Sequence, residues 1–521
     1  MQQVNLDTPL LQLSPKDNFS LRRAVAGVLA MGQTGGGKTS AFKRLAEAYL
    51  RSGMGGLVLC AKPEEMAFWQ ELCANTGRSG SLMVLDGITP IVDFVTYGLA
   101  RQGGAQGVGA VVDLYMRVVE IGRAASPVPG RQGEAFWEDL IRQILRNLIP
   151  IVYEATGAAR PADLLLAARS APTSPEQMKD PEWQKRSDFY RFVRAAYGKI
   201  SDADGDRLMA YWGGDWASLD HKTRSNGLIS FTTALDRFNH GWLREAFTTE
   251  TYVPPELTFQ GAVIVLAMPA LTLNEDGIIA QQLYKYLWQR AVLARNALAP
   301  EQQTRPVFLW ADEAQYFVNS FDAEYLATCR ASLACTVFLT QSLPTMYAKL
   351  SHDGHDRVHH LLGNFGTRVF FSNACAETNE WAARTLGKSV KSRANYNQSQ
   401  GTNTSYGVNM GEGSGWSRNA QDTSVFGQIG GFGWSLEQRW GAAGSESGND
   451  NWGRNRGHGS NNSITHGRSE VMEYLIEPGD FGRILKTGGP ANGNRVTAIW
   501  YQAGWKFEAS GGNALLVEFV Q

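Results

Sequence analysis

The chain has 521 residues, long enough for two to four domains with full apolar cores, and its net charge of −1 excludes a uniformly basic protein while allowing positive charge confined to one channel. Its five cysteines (Cys60, Cys73, Cys329, Cys335, Cys375) form no Cys-x-x-Cys pair, which argues against a disulfide framework or a zinc site and for reduced thiols in a cytoplasmic protein. The first twenty residues are polar and mixed, unlike a signal peptide. The most apolar stretch, Gly261 to Leu273, is too short to cross a bilayer and is broken by Pro269, so no transmembrane segment is expected.

Residues 1–23 read as a lead-in with an edge strand near Val4–Leu13. Ala24 to Leu50 then carries Gly32-x-x-x-x-Gly37-Lys38-Thr39 between a short apolar run and a helical pattern with Phe42, Leu45, Ala46 and Tyr49 on one side. This is the phosphate-binding loop in its proper setting. Gly35, Gly36 and Gly37 let the backbone curl so that N–H groups point at phosphate oxygens, and the helix that follows adds its positive end. Lys38 is expected to reach the β- and γ-phosphates, Thr39 to ligate Mg²⁺, and Gly32 and Ser40 to complete the nucleotide cradle. The pattern predicts binding of a nucleoside triphosphate.

Gly56–Lys62 and Leu82–Asp86 are short apolar strands separated by a helix pattern around Glu64–Asn75. Strand and helix in alternation predict parallel β-α-β units and a sheet covered on both faces. From Asp93 to about Glu250 the strand signal disappears and helical patterns follow one another, over Val111–Ile121, Glu134–Tyr153, Arg160–Ser170, Pro181–Tyr197, Arg207–Trp216 and Arg224–Phe238. Phe136, Trp137, Leu140, Ile141, Ile144 and Leu145 form an amphipathic stripe, read as core packing. The region reads as an all-helical domain inserted into an α/β domain.

The sheet then resumes, with strands expected at Gly261–Ala267, Pro306–Ala311, Thr336–Thr340 and Thr367–Phe371 and a long helix at Gly277–Ala297. The Pro306–Ala311 strand ends in Asp312-Glu313, at the carboxyl edge where open α/β sheets bind ligands. Asp312 is expected in the Mg²⁺ shell. Glu313 is expected to polarise a water, a role that suits hydrolysis better than transfer to a second acceptor. Gln341, just after the next strand, is placed to sense the γ-phosphate or orient water. Arg330, on the stretch between those strands, suits an arginine finger to a neighbouring subunit as well as a solvated surface position.

Lys391 to about His466 is rich in Gly, Ser, Asn and Gln and reads first as a mobile insertion. Its Trp416, Phe426, Phe432, Trp434, Trp440 and Trp452, with Arg418, Arg439, Arg454 and Arg456, also fit a single-stranded nucleic acid by stacking and charge. Strands return at Val496–Gln502 and Ala514–Val520. His352, His355 and His359 share a helical face, but Gly354 weakens the helix, and the group reads as a polar surface stretch. Lys62, after the second strand, is placed where it can point to the sheet's ligand edge, but it receives no catalytic role.

Taken together, Gly32-Gln-Thr-Gly-Gly-Gly-Lys-Thr39, the helical insertion with Phe136-Trp137, Asp312-Glu313, Cys329-Arg330-Ala331-Ser332, Thr340-Gln341-Ser342, Asn364-Phe365-Gly366-Thr367 and the ending Glu470–Leu485 resemble the type IV coupling proteins of the TraG/TraD type, in the HerA–FtsK group of ring ATPases. The resemblance spans most of 25–390 and, more loosely, 467–521. It implies a RecA-like, mostly parallel sheet with a phosphate-binding loop and an inserted all-helical domain: nucleotide-binding residues 1–92 and 251–390, helical residues 93–250, the low-complexity insertion 391–466, and C-terminal strands in 467–521.

It also implies an ATP- and Mg²⁺-dependent homohexameric motor that moves DNA, single-stranded and relaxase-bound, or a protein substrate into a type IV secretion (conjugation) channel. On that reading Lys38, Glu313, Gln341 and Arg330 are catalytic, the last from the next subunit. The helical insertion receives the substrate on the cytoplasmic side. Many members begin with membrane-spanning helices that this chain lacks, which leaves two expectations open: a cytoplasmic protein anchored at the inner membrane by a separate partner, or a soluble branch of the family. Two rival readings are a related genome-packaging motor and an adaptor that recruits protein substrates without pumping DNA.

Overall fold

Fifteen strands supply the frame of the computed structural model, which describes residues 4–102, 107–125, 134–350, 354–406, 410–422, 443–451 and 457–521. Strands β1 (Pro9–Gln12) and β2 (Asn18–Ser20) form a two-stranded sheet. Next come β3 (Val28–Met31), β4 (Gly55–Leu59), β5 (Leu82–Leu85), β6 (Val263–Leu266), β7 (Val307–Ala311), β8 (Ala334–Thr340) and β9 (Thr367–Phe370). Strands β10 (Lys388–Tyr406), β11 (Met410–Asp422), β12 (Ala443–Asn451) and β13 (Gly457–Tyr474) form a separate four-stranded sheet. With β14 (Arg495–Gln502) and β15 (Ala514–Val520), strands β3 to β9 make up a nine-stranded, mostly parallel sheet. This is the α/β architecture expected from the alternation of strand and helix.

The chain packs as two compact units, one of Met1–Leu11, Phe19–Ala30 and Phe42–Gly366, the other of Gln12–Asn18, Met31–Ala41 and Thr367–Gln521. In the first unit the strand order is β3-β8-β7-β4-β6-β5, and β8-β7, β7-β4, β4-β6 and β6-β5 are parallel pairs. Every residue of β4, β6, β7 and β8 is buried. That explains why these strands read as largely apolar runs: helices cover both faces, so neither face carries charged residues. Trp69, from the Glu64–Asn75 helix, stacks on Phe308 at 5.7 Å and meets Trp310 edge-on at 5.5 Å, fixing that helix against β7.

Between β5 and β6 the described regular elements are all helical. Several begin on the side chains that favour a helix start: Ser187 accepts from Tyr190 N, and Asp220 from Thr223 N. The apolar stripe of the Glu134–Thr156 helix is core from Leu140 onward, with Ile141, Ile144 and Leu145 also buried, whereas Phe136 is 55% exposed. Phe189 packs on Trp212 at 5.0 Å, and the Trp212 indole donates to Asn147 O at 2.9 Å. No helix among the described residues is long and apolar enough to cross a membrane.

In the second unit β14 pairs antiparallel with both β9 and β15. Where the sequence reads as a mobile insertion, β10 instead pairs antiparallel with β13 from Lys388↔Tyr474 to Ser405↔Gly457, and with β11 from Ala394↔Asp422 to Tyr406↔Met410; β11 in turn pairs with β12. A Gly-, Ser- and Asn-rich composition is compatible with these strands because an antiparallel ladder satisfies backbone N–H and C=O groups whatever the side chains. Trp416 and Arg418 fall in β11. Phe426, Phe432, Trp434, Arg439, Trp440, Trp452, Arg454 and Arg456 lie outside the described residues, as does His352.

Candidate functional site

The phosphate-binding loop belongs to the second unit and is built from backbone. It leaves β3 at Met31 and runs into the Lys38–Arg51 helix. Gly35 (φ 74°) and Gly37 (φ 83°) hold the left-handed conformation that residues with a Cβ rarely adopt, and a Cβ on Gly37 would lie 2.5 Å from Val496 Cγ2. The loop is pinned by Gln33 N donating to Ser372 O and Gly36 N to Gln33 O, both at 3.0 Å. Lys38 is buried, and its ammonium donates to Gly32 O at 2.6 Å and Gln33 O at 3.1 Å. Ser40 Oγ donates to Gly37 O at 3.0 Å and accepts from Gln521 Nε2 at 2.8 Å. A curl of glycines too tight for side chains, closing on a lysine ammonium at a helix start, fits a polyphosphate.

In the first unit the acidic pair sits where β7 ends. Asp312 and Glu313 are both buried. The register Ala311↔Phe338 sets them level with the last residues of β8, which brings Gln341 alongside. Glu313 takes a left-handed conformation, φ 54° and ψ 47°, and its N–H donates to Asp312 Oδ1 at 3.0 Å. This turn aims the Glu313 carboxylate into a set of donors from three parts of the chain. Lys62, beyond the end of β4, pairs with Oε1 at 2.8 Å. Gln315 Nε2 and Gln341 Nε2 donate to Oε2 at 2.8 Å and 3.0 Å. Gln315 is itself held by Thr340 Oγ1, which donates to its Oε1 at 2.8 Å. Burial alone would raise the Glu313 pKa, but the hydrogen bonds from Lys62, Gln315 and Gln341 outweigh it and hold the group below the usual carboxylate range.

A third carboxyl stands close by. Glu65, at the start of the Glu64–Asn75 helix, accepts from Ala61 N at 3.0 Å, while its Oε1 is buried without a hydrogen-bond partner. Burial, reinforced by the Asp312 charge, pushes its pKa up to about 9. The end of β4 is clamped from the Ala270–Leu293 helix: Gln281, fully buried, accepts from Cys60 N and donates to Cys60 O, each at 2.8 Å. The segment after the acids is anchored to the same helix through Lys285, which pairs with Asp322 at 2.6 Å with both side chains out of solvent.

Of the residues named from the sequence, Glu313 and Gln341 meet. Arg330 does not join them: it is exposed on the turn Cys329–Ser332 that leads into β8, whereas Gln341 follows that strand's far end. His355 and His359 group around Tyr347, His355 stacked at 3.8 Å and His359 Nε2 3.1 Å from its hydroxyl, and no cluster of metal-ligating side chains occurs among the described residues. Lys62 and Gln315 join Glu313, and Glu65 stands within reach of the Asp312 charge, with no motif in the sequence to mark any of the three. Only the position of Lys62 just past an apolar strand hinted at the carboxyl edge.

Residues 306–425, which include the acidic pair, match the family model of the TraM recognition site of TraD and TraG. Over that segment the chain is similar to TraG/TraD-type proteins. No curated protein matches it. Among solved structures, the chain is similar to the unbound bacterial conjugative coupling protein TrwB (TrwBdeltaN70), with 12% identity and a TM-score of 0.53 over 100% of this chain and 90% of that one. It is also similar to TrwB with the non-hydrolysable GTP analogue GDPNP (13% identity, TM-score 0.52, 98% and 89% covered) and to TrwB with ADP and Mg²⁺ (13%, 0.50, 96% and 86%). At such identities the likeness is one of fold.

Proposed function

We propose that this chain is an ATP-hydrolysing, DNA-translocating motor that works as a homohexamer and passes a relaxase-bound DNA strand, or a protein substrate, to a type IV secretion channel. The observation that carries the reading is that one chain holds both a glycine cradle closing on Lys38 and a buried carboxylate, Glu313, kept ionised beside Asp312 at a strand end. The match to a TraM recognition site and the fold shared with the nucleotide-bound coupling protein TrwB support it further.

In this reading Lys38 and the loop amides hold the phosphates, and Thr39 and Asp312 hold Mg²⁺. When bound, Mg²⁺ neutralises the charge that develops on the phosphate oxygens. Glu313 accepts a proton from the attacking water, and the Gln341 amide fixes the orientation of its Oε2. Arg330, exposed and away from Glu313 in its own chain, serves a neighbouring subunit. Residues 93–250 receive the substrate, and a TraM-like protein docks on 306–425. The motor works on the cytoplasmic side of the membrane.

The test is ATP turnover against protein concentration, with and without single-stranded and double-stranded DNA. A steep rise with concentration that DNA strengthens is expected, with no nucleotide binding by Lys38→Ala and binding without turnover by Glu313→Gln. Arg330→Ala should be inactive alone and partly rescued in rings mixed with Lys38→Ala subunits. Flat, DNA-indifferent turnover would point to an adaptor for protein substrates.

A further inference from the structure

The three donors on Glu313 differ in kind. Gln315 and Gln341 are short neutral amides, and both serve Oε2. Lys62 alone brings a charge, it serves Oε1, and its side chain is 42% exposed against 5% for Glu313. Lys62 sits 2.8 Å from Oε1, the carboxylate oxygen that neither amide serves, so while the ammonium stays there that oxygen is closed to a water. Lys62 is also the donor that can leave at least cost. Its flexible stem reaches from the solvent side, so withdrawal strands no buried cation, and Glu313 stays oriented by the two amides. What draws a half-exposed lysine from a carboxylate is a denser array of negative charge, and a nucleic acid backbone offers one phosphate after another.

We propose that Lys62 is a resting-state clamp on Glu313, drawn off the carboxylate by the phosphates of a nucleic acid strand, so that the substrate itself releases the base for hydrolysis. The proposal rests on the reading of Glu313 as the residue that serves water. It makes Lys62 a positioning residue that acts through Glu313 without touching nucleotide.

The test compares the full chain with Lys62→Met, Lys62→Arg and Glu313→Gln, measuring kcat and KM for ATP with and without an unstructured single-stranded oligonucleotide. Removing the clamp raises DNA-free kcat about two- to fivefold, the rate equivalent of a half-exposed ion pair, and lowers the DNA stimulation ratio by the same factor. KM for ATP stays within about twofold, as expected for a group outside the nucleotide contacts. Lys62→Arg keeps the charge and lies closer to the parent in both quantities. Thermal unfolding of each variant shows that the fold is kept.

A DNA-free kcat at or below the parent's in folded Lys62→Met, with Glu313→Gln inactive, overturns the clamp and leaves the function reading standing. Undiminished stimulation in Lys62→Met overturns the part assigned to phosphate. If Glu313→Gln turns over ATP at the parent rate, the function reading fails, and the clamp fails with it.

Discussion

The phosphate-binding loop and the Glu313 cluster hold functional groups by opposite means. In the loop the geometry belongs to the backbone: two glycines in left-handed conformations, amide-to-carbonyl bonds at 3.0 Å and a lysine folded onto the loop's own carbonyls. Around Glu313 the geometry belongs to side chains delivered from β4, β7 and β8, each bonded to the next. A backbone site has no slack, since one added Cβ meets an atom at 2.5 Å. A side-chain site is redundant, because losing one of three donors leaves two. Damage to the first should therefore be abrupt and damage to the second graded.

The largest effect is expected where the side-chain site meets the buried interior. Lys285→Met strands the Asp322 carboxylate among groups with no solvent, and should lower unfolding free energy by about 3–5 kcal/mol in a urea titration. Lys285→Met combined with Asp322→Leu should recover much of that. If the single variant costs nothing, the segment after the acids is not anchored as described. Next comes Gly37→Ala in the loop, which must hold φ near 83° and displace Val496. Its affinity for an ATP analogue should fall about ten- to a hundredfold by calorimetry, in line with roughly 1–2 kcal/mol of backbone strain plus the steric clash. A graded, tolerant response there would erase the contrast between the two sites.

Glu65 gives a pH test in nucleotide-free and Mg²⁺-free protein. Its pKa is raised to about 9 in the fold, so between the unfolded value near 4.5 and 9 the folded state holds the extra proton, and stability falls as pH rises. Glu65→Gln removes that loss. The variant should match the parent below about pH 5 and exceed it by about 2 kcal/mol at pH 7. A pH-independent difference would mean the carboxyl is not held neutral. The smallest effect is expected for Thr340→Val, which removes one neutral hydrogen bond two steps from the reacting water. Turnover should fall about two- to fivefold with KM for ATP unchanged, the equivalent of a hydrogen bond worth ~0.5–1 kcal/mol.

The same contrast decides what could be read from the residue order. Gly32 to Thr39 is contiguous, because a backbone device must be written in consecutive residues, and the sequence names it outright. Buried strands such as Leu57–Leu59 and Val307–Ala311 are legible because helices on both faces force apolar runs. Asp312-Glu313 is legible for the same reason, as the first polar residues after such a run. Lys62 is not: its partner lies 251 residues away, and nothing local marks a lysine that will meet a glutamate across parallel strands. Strands β10 to β13 are hidden for a different cause, since a ladder held by backbone bonds leaves the side chains free to be Gly, Ser or Asn. The resemblance to TraG/TraD-type proteins narrowed the expectation where spacing alone gave only a nucleotide-binding fold, and the match over 306–425 agrees with it.

Strands β5 and β6 are parallel neighbours in register, Leu82 against Val263 and Leu85 against Leu266, yet the whole helical stretch is strung between them. The departure point at Leu85 and the return point at Val263 are thus only one strand length apart, roughly 11 Å from the strand rise and spacing. Such a connection behaves as a cassette. Any helical segment whose ends span that gap can be exchanged without redrawing the sheet.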